Sequence, residues 1–124
     1  MIHLDTNYLI SLVTSPSPLK PQLLAWLKAG EEFAISAVGW SEFLNGPVTP
    51  QEIADASGIL VGRIIPFGVL EAEMASKLFN QTGRRRGSPP DCFIAATAIC
   101  AGIRLATLNR KHFAPFLVAG LRFV

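Results

Sequence analysis

Four short apolar runs, Ile2-His3-Leu4, Phe33-Ala34-Ile35, Ile64-Ile65-Pro66-Phe67 and Leu105-Ala106-Thr107, are spread along a chain of 124 residues. Each is too short and too apolar to present a solvated face, so they read as strands buried on both sides. The stretches between them carry helix punctuation. A parallel strand pair requires a crossover, usually a helix. These features predict an α/β fold in one domain spanning residues 1–124. A short central parallel sheet is flanked by helices on both faces, with right-handed crossovers. Leu121-Arg122-Phe123-Val124 is expected to add a short fifth strand.

The helix boundaries follow from their caps. Asp5-Thr6-Asn7 opens a helix running to about Val13, and Thr14-Ser15-Pro16-Ser17-Pro18 forms a turn. The next helix runs to about Lys28, with Leu23, Leu24 and Leu27 on one face. Ser36 is an N-cap for a helix that carries Trp40, Glu42 and Phe43 and stops near Gly46-Pro47. Thr49-Pro50-Gln51-Glu52 combines a cap, a proline at the first helical position and a capping-box acid, opening a helix to about Leu60. A helix with Leu70, Met74, Leu78 and Phe79 ends at Gly83, and Arg84-Arg85-Arg86-Gly87 is a basic loop. Ser88-Pro89-Pro90-Asp91 starts an alanine-rich helix that reaches Ala101 and ends at Gly102.

Composition narrows the function classes. Half the residues are hydrophobic and 16% are charged, which argues against disorder and suggests apolar surface covered by something outside the chain. Cys92 and Cys100 are eight positions apart in one helical segment, about 12 Å, too far for a disulfide within that helix. They read as buried free thiols of a reducing compartment. No signal peptide or run of membrane-spanning length is visible, so a cytoplasmic protein with no membrane partner is expected. Charge is unevenly placed: residues 1–73 carry a net −5 and residues 74–124 a net +7. Asp91 is the one acid in the basic part. Basic surface around an isolated carboxylate suits a polyanionic substrate, although a dispersed solvated surface gives the same count.

In open parallel sheets, ligands gather beyond the carboxyl ends of the strands. Asp5 follows the first strand, Glu42 lies on the helix after the second, and Thr107 and Asn109 end the fourth. Each acid also has a structural explanation. Asp5 can be an N-cap, and Asp91 can complete a capping box with Ser88. Glu42, in an apolar helical stretch with little Lys or Arg nearby in sequence, needs a partner. Three converging carboxylates repel one another unless a hard divalent cation joins them. Mg²⁺ characteristically uses a few carboxylates, waters and substrate phosphates. Such a site activates water and stabilises the charge on a phosphodiester under attack. Thr6, Asn7, Thr107 and Asn109 are positioned to orient ligands or bound waters. No Ser-His-Asp or Cys-His pattern competes, and His3 reads as a strand residue.

Several segments together carry a resemblance to a known family. They are Ile2-His3-Leu4-Asp5-Thr6-Asn7, Ser41-Glu42-Phe43 with Gly46, Pro90-Asp91-Cys92-Phe93-Ile94-Ala95-Ala96-Thr97-Ala98, and Leu105-Ala106-Thr107-Leu108-Asn109-Arg110-Lys111-His112-Phe113. In order and spacing the chain resembles a PIN domain, specifically the VapC-type toxin ribonucleases of toxin–antitoxin pairs, over its whole length. The resemblance implies Mg²⁺- or Mn²⁺-dependent endonucleolytic cleavage of RNA by metal-activated water, a cognate antitoxin and a homodimer. It also implies metal-binding, catalytic roles for Asp5, Glu42 and Asp91, with Thr6 and Thr107 supporting the site. One departure is visible. The family often has a fourth acid after the threonine that ends the fourth strand, and here the candidate positions are Asn109 and His112. Arg84, Arg85 and Arg86 are the expected RNA-binding residues, since arginine suits bidentate phosphate contact. A haloacid-dehalogenase-like phosphatase would need a second Asp where Asn7 stands. The rival of another class is a PIN-fold RNA- or protein-binding module without cleavage.

Overall fold

The computed structural model describes residues 1–14, 16–82 and 89–124. The four apolar runs form strands β1 (Ile2–Leu4), β2 (Phe33–Ser36), β3 (Ile64–Ile65) and β4 (Arg104–Ala106). They pair in the order β3-β2-β1-β4, all parallel. Ile2 stands opposite Phe33 and Arg104, Leu4 opposite Ala106, and Ile35 opposite Ile64. Because side chains alternate along a strand, a buried strand can feed two cores, and β4 does so. Ile2, Leu4, Phe33, Ile35 and Ala106 join one cluster, and Leu105 joins the other. The first is closed by α1 (Thr6–Val13) and α4 (Pro50–Leu60), with α2 (Lys20–Lys28) resting on its edge. The second is closed by α5 (Val69–Gln81), α6 (Pro89–Ala101), α7 (Arg110–Phe113) and a 3-10 helix over Ala114–Ala119. Helix α3 (Ala37–Asn45) packs against both α1 and α6. Helices therefore flank the sheet on both faces, as the sequence predicts.

Local chemistry fixes the element ends. Ser36 Oγ accepts from Gly39 N–H at 2.9 Å. Thr49 and Glu52 form the expected reciprocal box, at 3.1 and 2.8 Å. Gly102, just beyond α6, adopts φ 69°, a left-handed conformation that glycine takes without steric cost. Ser15, Gly83, the loop Arg84–Gly87 and Ser88, including the proposed capping partner of Asp91, lie outside the described residues.

Two expectations are corrected, the full fifth strand and the burial of both cysteines. The chain leaves the 3-10 helix at Gly120 (φ 107°) and meets β4 through a single bridge between Phe123 and Leu105. Within β4, Leu105 alone bonds the tail backbone, donating to Arg122 O at 2.8 Å and accepting from Val124 N–H at 3.2 Å, so the expected fifth strand is reduced to one bridge. Helix α2 buries none of its residues, and Leu24 and Leu27 are 57% and 51% exposed. Leu23 and Trp26 pack against the first core, but the described residues leave Leu24 and Leu27 largely uncovered. Cys92 is buried but Cys100 is exposed, near the end of α6. Among the described residues no helix is long and apolar enough to cross a membrane.

Candidate active site

The site lies where β1, β2 and β4 end. Asp5 continues the ladder by donating its backbone N–H to Ala106 O at 2.9 Å. Its side chain then turns into the site. Oδ1 accepts from the backbone N–H of Thr6 at 2.8 Å, and Oδ2 accepts from the Thr107 hydroxyl at 2.7 Å. The cap and the site are thus the same residue. Thr107 is held in turn, because its oxygen accepts from Asn109 N–H at 3.0 Å.

Glu42 reaches the same place from α3. Its Oε2 accepts from the Thr6 hydroxyl at 3.0 Å, and that hydroxyl also lies 3.3 Å from Gly39 O. Thr6 therefore connects α1 to α3 and places Glu42 near Asp5. Asp91 sits in the first turn of α6 with its side chain 30% exposed, and His112 Nδ1 lies 3.9 Å from its Oδ2. Among the described residues no Lys or Arg forms an ion pair with any of the three acids.

The electrostatics reflect this grouping. Burial pushes the Asp5 carboxyl above its usual range, opposed by its hydrogen bonds from Thr107 and Thr6. Asp91 is raised first by burial, then by the negative charge of Asp5 and, more weakly, of Glu42. His112 opposes both shifts. Three acids thus share one field. Among the described residues, no three His, Cys, Asp or Glu side chains stand close enough to enclose a metal ion directly. The chemistry of the donor set still fits a hard cation that keeps several waters.

The remaining expected residues divide. Asn7 is exposed on α1, and its side chain makes no hydrogen bond among the described residues. Asn109 contributes its backbone N–H to Thr107. His112 faces Asp91. Arg84, Arg85 and Arg86 lie outside the described residues. His3 holds a position that sequence reasoning treated as plain strand. It is fully buried, and its Nε2 accepts from Ser36 N–H at 2.9 Å. It thereby pins the end of β2, where the helix carrying Glu42 begins. Burial lowers its pKa to about 4, so the ring is neutral, and Nδ1 has no partner among the described residues. A single polar residue in an apolar run was the available signal.

Comparison with known proteins follows this geometry. The PIN-domain profile matches residues 2–115. A toxin–antitoxin complex from Klebsiella pneumoniae contains a chain 30% identical, with a TM-score of 0.73, covering 92% of this chain and 91% of that one. FitAcB from Neisseria gonorrhoeae is 24% identical with a TM-score of 0.72, covering 100% of this chain and 97% of that one. VapBC2 from Rickettsia felis, bound to a promoter DNA fragment, is 23% identical with a TM-score of 0.72, covering 100% and 98%. No curated protein sequence matches. The profile spans nearly the whole chain and the fold is shared from end to end, and the chain belongs to the PIN-domain family.

Proposed function

We propose that the chain is a Mg²⁺- or Mn²⁺-dependent endoribonuclease and the toxin of a toxin–antitoxin pair. The observation that carries this reading is the shared field of Asp5, Glu42 and Asp91, unrelieved by any Lys or Arg ion pair among the described residues. Asp5, Asp91 and Glu42 would hold the ion, partly through water. When bound, it would neutralise phosphate charge and make water a better nucleophile. The chain's own residues preorganise the rest. Thr107 and the Thr6 N–H fix both oxygens of Asp5, while the Thr6 hydroxyl leaves Glu42 one free oxygen. Asp91 is the acid exposed toward an incoming phosphodiester, with His112 beside it.

The test is cleavage of single-stranded RNA by the purified chain with Mg²⁺ or Mn²⁺ and with chelator. Asp5→Asn and Asp91→Asn each keep size and hydrogen-bonding capacity. Each should reduce cleavage by at least about a hundredfold while leaving the far-UV circular dichroism unchanged. RNA left intact by the wild-type chain with either metal would refute the reading. Asn109, where the family often has a fourth acid, favours one rival: a PIN-fold module that binds RNA or protein without cutting. An Asn109→Asp variant that tightens metal binding and raises cleavage would favour the enzyme.

Two uncovered apolar surfaces support the proposed partners. A groove of about 620 Å³ between α2 and α4 is lined by Leu23, Leu24, Leu27, Ile59 and Val61, with Lys20, Asp55 and Arg63 also on its walls. Its concave apolar form suits an amphipathic antitoxin helix. On α5 and the 3-10 helix, Val69, Leu70 and Val118 are 73%, 71% and 92% exposed. This second surface suits a homodimer contact.

A further inference from the structure

We propose that the cleft between α1, α2 and α7 is a base subsite, holding one unstacked base of the RNA beside the bond that is cut. This rests on the ribonuclease reading and adds the component that would give it sequence preference. The cleft has a volume of about 400 Å³ and is lined by Tyr8, Gln22, Trp26, Thr107, Arg110 and Val124, among others. Thr107 is the link to the chemistry, because its hydroxyl donates to Asp5 at 2.7 Å. A group in this cleft would therefore be one residue, Thr107, away from Asp5.

The walls are suited to a flat heterocycle. Tyr8 and Trp26 stack with ring centroids 5.7 Å apart and planes 27° apart, and Phe33 backs Trp26 at 6.1 Å. The indole lines the cleft and remains partly exposed, so ring surface is left for a base. Base–aromatic stacking is a main source of affinity in single-strand recognition. Across the cleft, the Arg110 guanidinium is held 5.0 Å over the Phe123 ring and donates to Val124 O at 2.8 Å. Bracing of this kind limits the ordering cost of using it on a ligand. Polar groups are also available. Gln22 is exposed, and the Tyr8 hydroxyl has no hydrogen-bond partner among the described residues. Among the described residues no acidic side chain lines the cleft, and Lys111 follows Arg110 on α7. The larger groove between α2 and α4 differs, being walled by leucines and containing an aspartate. A cationic, aromatic cleft opening onto the residue that fixes Asp5 favours a nucleotide over a protein side chain.

Two measurements test the subsite. The chain has two tryptophans, so a Trp40→Phe variant leaves Trp26 as the reporter. Without divalent metal, nucleoside 5′-monophosphates should quench its fluorescence saturably, whereas ribose 5-phosphate should not. Absence of quenching by every nucleotide, or equal quenching by ribose 5-phosphate, would overturn the proposal. The second measurement maps base preference around the cut on random-sequence single-stranded RNA. Gln22→Ala, at an exposed position, should flatten the preference at one position flanking the cut. Trp26→Leu should raise KM by about tenfold with a smaller loss in kcat, the scale expected when one stacked base is lost. Both variants keeping the wild-type preference and KM would overturn the subsite and leave the ribonuclease reading intact. So would variants that keep RNA behaviour but lose antitoxin affinity, since the cleft would then be a protein surface. A wild-type chain that cuts no RNA would defeat the ribonuclease reading, and the fluorescence titration would still decide whether the cleft holds a base.

Discussion

At the scale of single residues, Thr107 and His3 perform the placement on which the acids depend. Thr107→Val is nearly isosteric but removes the donor to Asp5 Oδ2 and the acceptor for Asn109 N–H. It should weaken metal binding by about ten- to a hundredfold, the usual cost of losing a group that orients a ligand, with calorimetry as the readout. His3 makes a pH prediction whose sign follows from its neutral, buried state. Its pKa falls from 6.5 to about 4 on folding. Below pH 6.5 the unfolded chain therefore takes up a proton that the folded chain refuses, and stability is lost as pH falls toward 4. The full shift corresponds to roughly 3 kcal/mol. Asp5 and Asp91, raised by burial, act in the opposite sense. Comparison with His3→Phe isolates the histidine: urea unfolding below pH 6.5 should show a midpoint that falls more with decreasing pH in the wild type than in the variant. The acids were legible in the sequence because each follows a strand or opens a helix, places where topology forces convergence. The role of His3 was not, because the partner it holds is 33 residues away and only strand register brings the two together.

Among the elements, α3 is the one whose placement decides the site, and Gly39 sets how closely it approaches. A Cβ on Gly39 would come within 3.0 Å of Ile35 Cγ1 and 3.2 Å of Ser36 Oγ. Ile35 is fully buried in the first core and has little room to give. Gly39→Ala gains helix propensity of up to about 1 kcal/mol, but α3 must move by a few tenths of an ångström. That movement separates Glu42 from Thr6. The expected outcome is a stability change within about 1 kcal/mol by urea unfolding and a loss of about tenfold in RNA cleavage. A variant with unchanged cleavage would show that the α1–α3 spacing has slack. The helix starts were readable from side chains that cap within three or four residues, as at Ser36 and Thr49. The tail after Gly120 was misread because its apolar residues fit a strand locally. Whether they pair with β4 depends on where the 3-10 helix releases the chain. The leucines of α2 were read correctly as a face, but local periodicity does not reveal whether the same chain covers that face.

Over the whole molecule, the basic excess of residues 74–124 divides between structural and solvent-facing roles. Arg104, at the start of β4, pairs with Glu31, and Arg122 donates to Gly102 O at 2.8 Å. Both tie chain segments together away from the carboxyl ends of the strands. Arg110 and Lys111 stand on α7, just past Thr107, and Arg84, Arg85 and Arg86 precede Asp91 by only five to seven positions in sequence. Net charge therefore overstates the cations available to a polyanion, and the total alone did not reveal which arginines are committed. Salt dependence separates the two groups. Each phosphate contact on a single strand contributes roughly 0.7 to the slope of log affinity against log salt. Replacing Arg84, Arg85 and Arg86 together by alanine should reduce that slope by about 2 if all three meet the RNA backbone. Metal affinity should be nearly unchanged. Arg104→Ala, which removes one positive charge at the amino end of β4, should leave the slope as it was while lowering stability modestly. Equal slopes in the wild type and the triple variant would show that these arginines do not contact phosphate. Arg110 and Lys111 would then be left as the main positive surface for RNA beside the acids.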